Sequence, residues 1–178
     1  MKKILLGVSG SIAAYKAADI ASGLVKEDYS VTVVMSDQAK DFITPLTLQV
    51  ISKNPVFTGF QDEEQNWRPG HIELADESDL ILVAPATANI ISKFANGIAD
   101  DPLTSIYLAT LSPVIIAPAM NGKMWNHPAT QENVDKLVSR GVKFIGPDKG
   151  MLACGYEGIG RLWPVDGIID SVSELMNS

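Results

Sequence analysis

The stretch "DLILVAPATANIISKFANG", Asp79 to Gly97, decides the fold. Its first half is an apolar run without polar alternation, so it reads as a strand buried on both faces. Its second half, from Thr87, repeats apolar residues at helical spacing and ends at a glycine. A buried strand leading straight into a helix is half of a strand–helix–strand crossover, and such crossovers build parallel sheets.

The same order recurs on both sides. Upstream, "KKILLGV" is a short apolar run that breaks at "SGS", and "IAAYKAADIASGLVKE" follows with helical spacing. "YSVTVVMS" is β-branched and apolar, a second strand. "TPLTLQVIS" reads as a short helix with Thr44 as its cap and Pro45 in its first turn. Asn54 to Gly70 reads as irregular, with acidic residues between Phe60 and Trp67. Downstream, "DDPLTSIYLAT" is a helix capped by Asp101, "PVIIAPAM" a strand, and "HPATQENVDKLVSRG" a helix ending at Gly141. "VKFIG" is the last strand, and a closing helix runs from about Val165 to Met176. The expected architecture is α/β: one parallel sheet with helices on both faces, a three-layer fold.

Bulk properties narrow the function. At 178 residues the chain suits a single domain, 1–178, with a full core. A formal net charge of -7 argues against a nucleic-acid surface, which needs clustered Lys and Arg. One cysteine excludes an internal disulfide framework and suits a reducing cytoplasm. With that cysteine and two distant histidines, His71 and His127, no metal-ligand spacing exists, so no metal is expected. The start, "MKKILLGVSGS", has an apolar run too short for a secretory leader, and no segment is long enough to span a membrane.

In a doubly wound sheet, ligands bind beyond the carboxyl ends of the strands. "SGSIAA", "MSDQA", "APATANI" and "APAMNGKMW" each follow an expected strand and should converge on one rim. The first is a Gly-rich turn entering a helix, which offers backbone N–H groups to an anion. It lacks the G-x-G-x-x-G spacing of a dinucleotide site, and hydroxyls at Ser9, Ser11 and Ser36 suit a terminal phosphate. Thr87 and Asn89 stand just past a strand as helix caps or ligand donors. Asn121, between methionines and prolines, can either cap a helix or hold a carboxylate. Met120, Met124 and Trp125 fit a plain core. His71 opens "HIELADES", where a helix N-terminus would keep it available as a neutral base.

The only cysteine, Cys154, lies in "GMLACGYEGIGR", Gly150 to Arg161, which holds four glycines and little apolar periodicity. A structural cysteine would sit in a strand or helix, so this one needs another account.

Taken together, "GSIAAYK", "HIELA", "APATAN", "NGIAD", "PAMNGKMW" and "ACGYEGIGR" resemble the flavin-containing cysteine decarboxylase family over nearly the whole chain. The resemblance implies a Rossmann-like (flavodoxin-like) domain that binds FMN and assembles as trimers, with active sites between subunits. It implies that Gly10, Ser11 and Ile12 hold the flavin phosphate with Ser36 nearby, that Thr87, Ala88 and Asn89 contact FMN, and that Ala119 approaches its ring. His71 would be the base, Asn121 would bind the substrate carboxylate, and Cys154 would be the acid. Residues 148–164 would form a flap, with Met151, Leu152 and Ala153 on the substrate.

The implied reaction converts 4'-phosphopantothenoylcysteine to 4'-phosphopantetheine in coenzyme A biosynthesis. The thiol is oxidised to a thioaldehyde, CO2 leaves, and the resulting enethiolate is reduced; a thiol amine has no electron sink of its own, so a cofactor must supply one. A separate ligase is expected to make the substrate. Two further readings share parts of this pattern: a decarboxylase acting on a peptide's C-terminal cysteine, and a flavin-binding subunit that regulates a phosphatase. "ACGYEGIGR" resembles the small-metabolite type, and the long acidic tail of the regulatory subunits is absent.

Overall fold

Six parallel strands make the central sheet: Lys3–Val8 (β1), Ser30–Met35 (β2), Val56–Phe57 (β3), Leu80–Ala86 (β4), Val114–Pro118 (β5) and Lys143–Phe144 (β6). This computed structural model describes residues 1–60, 70–155 and 157–177. The strand order is β3-β2-β1-β4-β5-β6, with the reversal of winding between β1 and β4. Without the two-residue β3 the order is that of flavodoxins; β3 extends it to the dinucleotide-fold order. The Rossmann-like, flavodoxin-like expectation therefore holds. The sequence reading missed β3, since two half-buried residues carry no periodicity.

Alternation along the strands divides the core. Ile4, Leu6, Val8, Val31, Val33, Leu80, Leu82 and Ile115 face one layer, made by Ala17–Lys26 (α1), Pro45–Ser52 (α2) and Val165–Asn177 (α8). Leu5, Val34, Ile81, Val83 and Ile116 face the other, made by Gly70–Glu77 (α3), Ala88–Asn96 (α4), Pro102–Ala109 (α5) and Pro128–Ser139 (α7). β4 is buried at every residue, as its unbroken apolar run requires. Each fully buried leucine or isoleucine stabilises the fold by roughly 1.5–3 kcal/mol.

Helix starts follow local chemistry. Thr44, Thr87 and Asp101 accept backbone N–H groups of their first turns, and Asp101 forms a reciprocal capping box with the fully buried Thr104. The segment after β1 differs from a plain helix: Ile12–Lys16 is a 3-10 turn capped by Ser11, and α1 begins only at Ala17. α7 stops at Ser139, two residues short of Gly141, whose φ of +89° ends the turn. Trp67 and the acidic residues before it lie outside the described residues. No helix among the described residues is long and apolar enough to cross a membrane.

The Gly-rich segment holds a second, two-stranded sheet. Asp148–Met151 (β7) and Glu157–Arg161 (β8) pair antiparallel, so the expected flap is a hairpin with a described tip at residues 152–155.

Candidate active site

The loops at the carboxyl ends of β1, β2, β4 and β5, together with the hairpin, enclose a cavity of about 600 Å³, the size of small-molecule sites. Backbone bonds stitch this rim. Ser36 N–H donates to Val8 O at 3.0 Å, and Ala119 N–H to Ala86 O at 2.9 Å. Ser9 joins two loops: its Oγ donates to Pro85 O at 2.8 Å and accepts from Thr87 N–H at 3.0 Å.

Those bonds revise one reading. Of the three hydroxyls suited to a phosphate, Ser9 is committed to the protein, and Ser11 Oγ accepts from Ala13 N–H at 3.2 Å. Ser36 Oγ, in a residue only 5% exposed, has no partner among the described residues. Gly10 explains how Ser36 reaches this turn. A Cβ at position 10 would lie 2.4 Å from Gln38 Cβ, so only glycine lets the turn after β2 pack so close. Gly10, Ser11 and Ile12 line this end of the cavity beside Ser36. An orphaned buried hydroxyl beside a Gly-rich turn fits a terminal phosphate, as FMN carries.

Thr87, Ala88 and Asn89 form the next wall, with Ala119 beside them just past the end of β5. Thr87 serves as the cap of α4, accepting from Ile90 N–H at 3.2 Å, and still lines the cavity.

Asn121 caps a helix with one end of its amide and turns the other toward the hairpin. Its Oδ1 accepts from Lys123 N–H at 2.8 Å and caps the short helix Gly122–Trp125 (α6). Its Nδ2 is thereby turned outward and donates to Cys154 Sγ at 3.3 Å. A donor presented at the cavity is what a carboxylate requires. Met120 and Trp125 pack partly against the core, whereas Met124 is half exposed and lines the cavity, as Met120 also does.

The hairpin is seated on this same loop. Met120 N–H donates to Gly160 O at 2.9 Å, and Arg161 Nη2 pairs with Asp148 Oδ2 at 2.8 Å across the hairpin base. Such close seating needs glycines: a Cβ on Gly160 would lie 2.1 Å from Met120 O, and one on Gly122 2.6 Å from Ile159 O. Met151, Leu152, Ala153 and Cys154 all line the cavity.

His71 is the exception. It stands at the end of α3 away from β4, with its ring edge-on to Phe60 at 5.7 Å, and is not part of the cavity wall of its own chain. Sequence reasoning missed Lys16 and Arg161, the two cations of the lining among the described residues, and Gln38. No group of residues suited to a metal ion exists among the described residues.

Residues 1–177 match the family described as Flavoprotein. The chain belongs to the flavoprotein family. This flavoprotein is 50% identical over 175 residues to a probable phosphopantothenoylcysteine decarboxylase of Streptococcus mutans, covering 97% of this chain and 98% of that protein. It is 49% identical over 168 residues to the coenzyme A biosynthesis bifunctional protein CoaBC of Bacillus subtilis. That match takes 94% of the flavoprotein and only 41% of the longer protein. In structure it resembles a cysteine-to-serine mutant of phosphopantothenoylcysteine (PPC) decarboxylase complexed with pantothenoylaminoethenethiol, with a TM-score of 0.89, 32% identity and 99% of each chain covered. The FMN-binding protein AtHal3 shares the fold at a TM-score of 0.86 and 32% identity, over 99% of this chain and 97% of that one.

Proposed function

We propose that this flavoprotein binds FMN and decarboxylates 4'-phosphopantothenoylcysteine to 4'-phosphopantetheine, a step of coenzyme A biosynthesis. The observation that carries the reading is the pairing of Asn121 Nδ2 with Cys154 Sγ in the cavity whose far end is the Gly10–Ser36 cradle. One end suits a flavin phosphate; the other sets a carboxylate donor beside a thiol. Bound FMN supplies the electron sink that the substrate lacks and returns the electron pair afterwards.

The chain's own residues divide the remaining work. Asn121 holds the substrate carboxylate through Nδ2 while α6 keeps the amide from rotating. The hairpin, with Met151, Leu152 and Ala153, covers the substrate and excludes water. Cys154 Sγ holds the proton delivered to carbon after CO2 has left. His71, through a ring nitrogen, removes the proton of the substrate thiol. Because His71 stands outside its own chain's cavity, it is assigned to the cavity of a neighbouring subunit in a trimer, with one site at each subunit boundary. A catalytic free thiol and a thiol substrate require a reducing compartment, and the cytoplasm is one. A ligase activity that joins cysteine to phosphopantothenate must supply the substrate.

Purified protein is expected to be yellow, to release FMN on denaturation, and to evolve CO2 from 4'-phosphopantothenoylcysteine. Turnover of a peptide ending in cysteine at a comparable rate, or no CO2 from the metabolite, would overturn the assignment. Mixing His71→Asn chains with Cys154→Ser chains, neither of which forms 4'-phosphopantetheine alone, should restore part of its formation if sites are shared between subunits.

A further inference from the structure

The substrate and product of the proposed reaction are thiols, and Cys154 is exposed inside the same cavity. We propose that Cys154 is a site of reversible S-thiolation by phosphate-bearing disulfides of the product class, which silences the enzyme when the thiol pool it feeds becomes oxidised. The proposal rests on the decarboxylase reading of the site.

Three observations besides the cysteine carry it. Ser36 Oγ, buried and without a partner among the described residues, marks the same cavity as built for a bound ligand. The chain has 21 acidic residues, yet among the described residues the cavity wall contains no Asp or Glu and two cations, Lys16 and Arg161. Arg161 is paired with Asp148, whereas Lys16 has no ion pair among the described residues. With the flavin phosphate seated at Ser36, Lys16 is left to attract a second phosphate. The backbone beside the thiol is also open: a Cβ at Gly155 would meet nothing within 4 Å.

The chemistry balances with the disulfide as oxidant. The Cys154 thiolate attacks one sulfur of R–S–S–R, the S–S bond breaks as the Sγ–S bond forms, and one R–S⁻ departs and takes a proton from water. Cys154 is oxidised and the departing half is reduced. The adduct removes the proton donor and covers Asn121 Nδ2, so turnover stops. A free thiol attacking the mixed disulfide restores Cys154.

The test treats flavin-loaded enzyme with the disulfide of 4'-phosphopantetheine or, in parallel, with glutathione disulfide. Intact mass and peptide mapping follow the adduct. One phosphopantetheine per chain should appear on Cys154 at least tenfold faster than the glutathione adduct, with activity lost in step and recovered in dithiothreitol. Lys16→Gln should cut that preference to threefold or less while leaving the glutathione rate unchanged. No adduct, equal rates for the two disulfides, a preference untouched by Lys16→Gln, or an adduct that leaves activity intact overturns the proposal. CO2 release by untreated enzyme reports on the decarboxylase reading separately. An inactive enzyme that takes the adduct selectively refutes that reading, and an active one that takes none refutes the thiolation.

Discussion

Replacing Gly160 by alanine tests whether the seated hairpin is what makes the site. The added Cβ would lie 2.1 Å from Met120 O, a backbone atom that cannot swing aside, and 3.2 Å from Gly122 N. Gly160 also has φ of +140°, a conformation that costs another residue about 1–3 kcal/mol. Relief of the clash must break the 2.9 Å bond from Met120 N–H to Gly160 O, worth about 1 kcal/mol more. The seated hairpin is thus disfavoured by roughly 2–4 kcal/mol, or about 30-fold to several hundred-fold. Because no hairpin residue belongs to the six-stranded sheet, the fold should persist. Formation of 4'-phosphopantetheine, measured as kcat/KM on protein with a full flavin complement, should fall at least about 30-fold on the same arithmetic. Gly155→Ala, whose Cβ meets open space, should be far milder. Wild-type product formation by Gly160→Ala with flavin bound would show that the seating on Met120 is irrelevant to catalysis.

Three further outcomes follow from single contacts. His71→Asn should abolish CO2 release while FMN stays bound, because His71 is not among the residues that line the cavity with the phosphate cradle; normal turnover would return His71 to a structural role. Ser36→Ala should weaken FMN binding about tenfold or more, the worth of roughly 1.5–3 kcal/mol for a hydrogen bond to a charged group, and a fluorescence titration with unchanged Kd would remove Ser36 from the cradle. Asp101→Ala should lower stability by about 1–2 kcal/mol through loss of the capping box, a fall of about 2–8 °C in Tm by calorimetry, without altering flavin content.

The sheet was legible because its strands are buried on both faces: β4 and β5 read as apolar runs for the same reason that helices cover them. Helix starts were legible where one side chain decides them, as at Thr44, Thr87 and Asp101. β3 was missed, since a two-residue strand at a sheet edge borrows its geometry from the neighbouring strand, whereas the equally short β6 was legible in "VKFIG". The hairpin looked like a loop because its glycines meet the demands of contact with Met120 and Gly122, which no local pattern encodes.

Most of the candidate site could be found from the rule that ligands gather at strand ends, and every proposed flavin contact lines one cavity. What the rule does not supply is the use made of each polar group. Ser9 and Ser36 are both serines at strand ends, yet one is consumed in knitting two loops together and the other is left over. Only three-dimensional hydrogen-bond accounting separates them. His71 marks a different limit: it lines no part of the cavity of its own chain, so nothing in that cavity's geometry singles it out.

The decisive experiment for the thiol is Cys154→Ser, read by product and not by rate. If Cys154 merely fills space, a near-isostere at an exposed position should leave 4'-phosphopantetheine formation unchanged. If it is the acid, serine removes a proton source, because a thiol releases a proton far more readily than an aliphatic hydroxyl. Neither oxidation of the substrate nor loss of CO2 asks Cys154 for a proton, so both should proceed. The final protonation and reduction should stall, leaving a product two hydrogens lighter than 4'-phosphopantetheine in mass spectra. Asn121 sharpens the test: its Nδ2 now meets a sulfur at 3.3 Å and would bond the serine hydroxyl equally well, so the loop geometry survives the change. An altered product from an undisturbed site would therefore report on the proton alone, whereas normal 4'-phosphopantetheine at wild-type rate would leave the hairpin as a cover and its cysteine without a part in the chemistry.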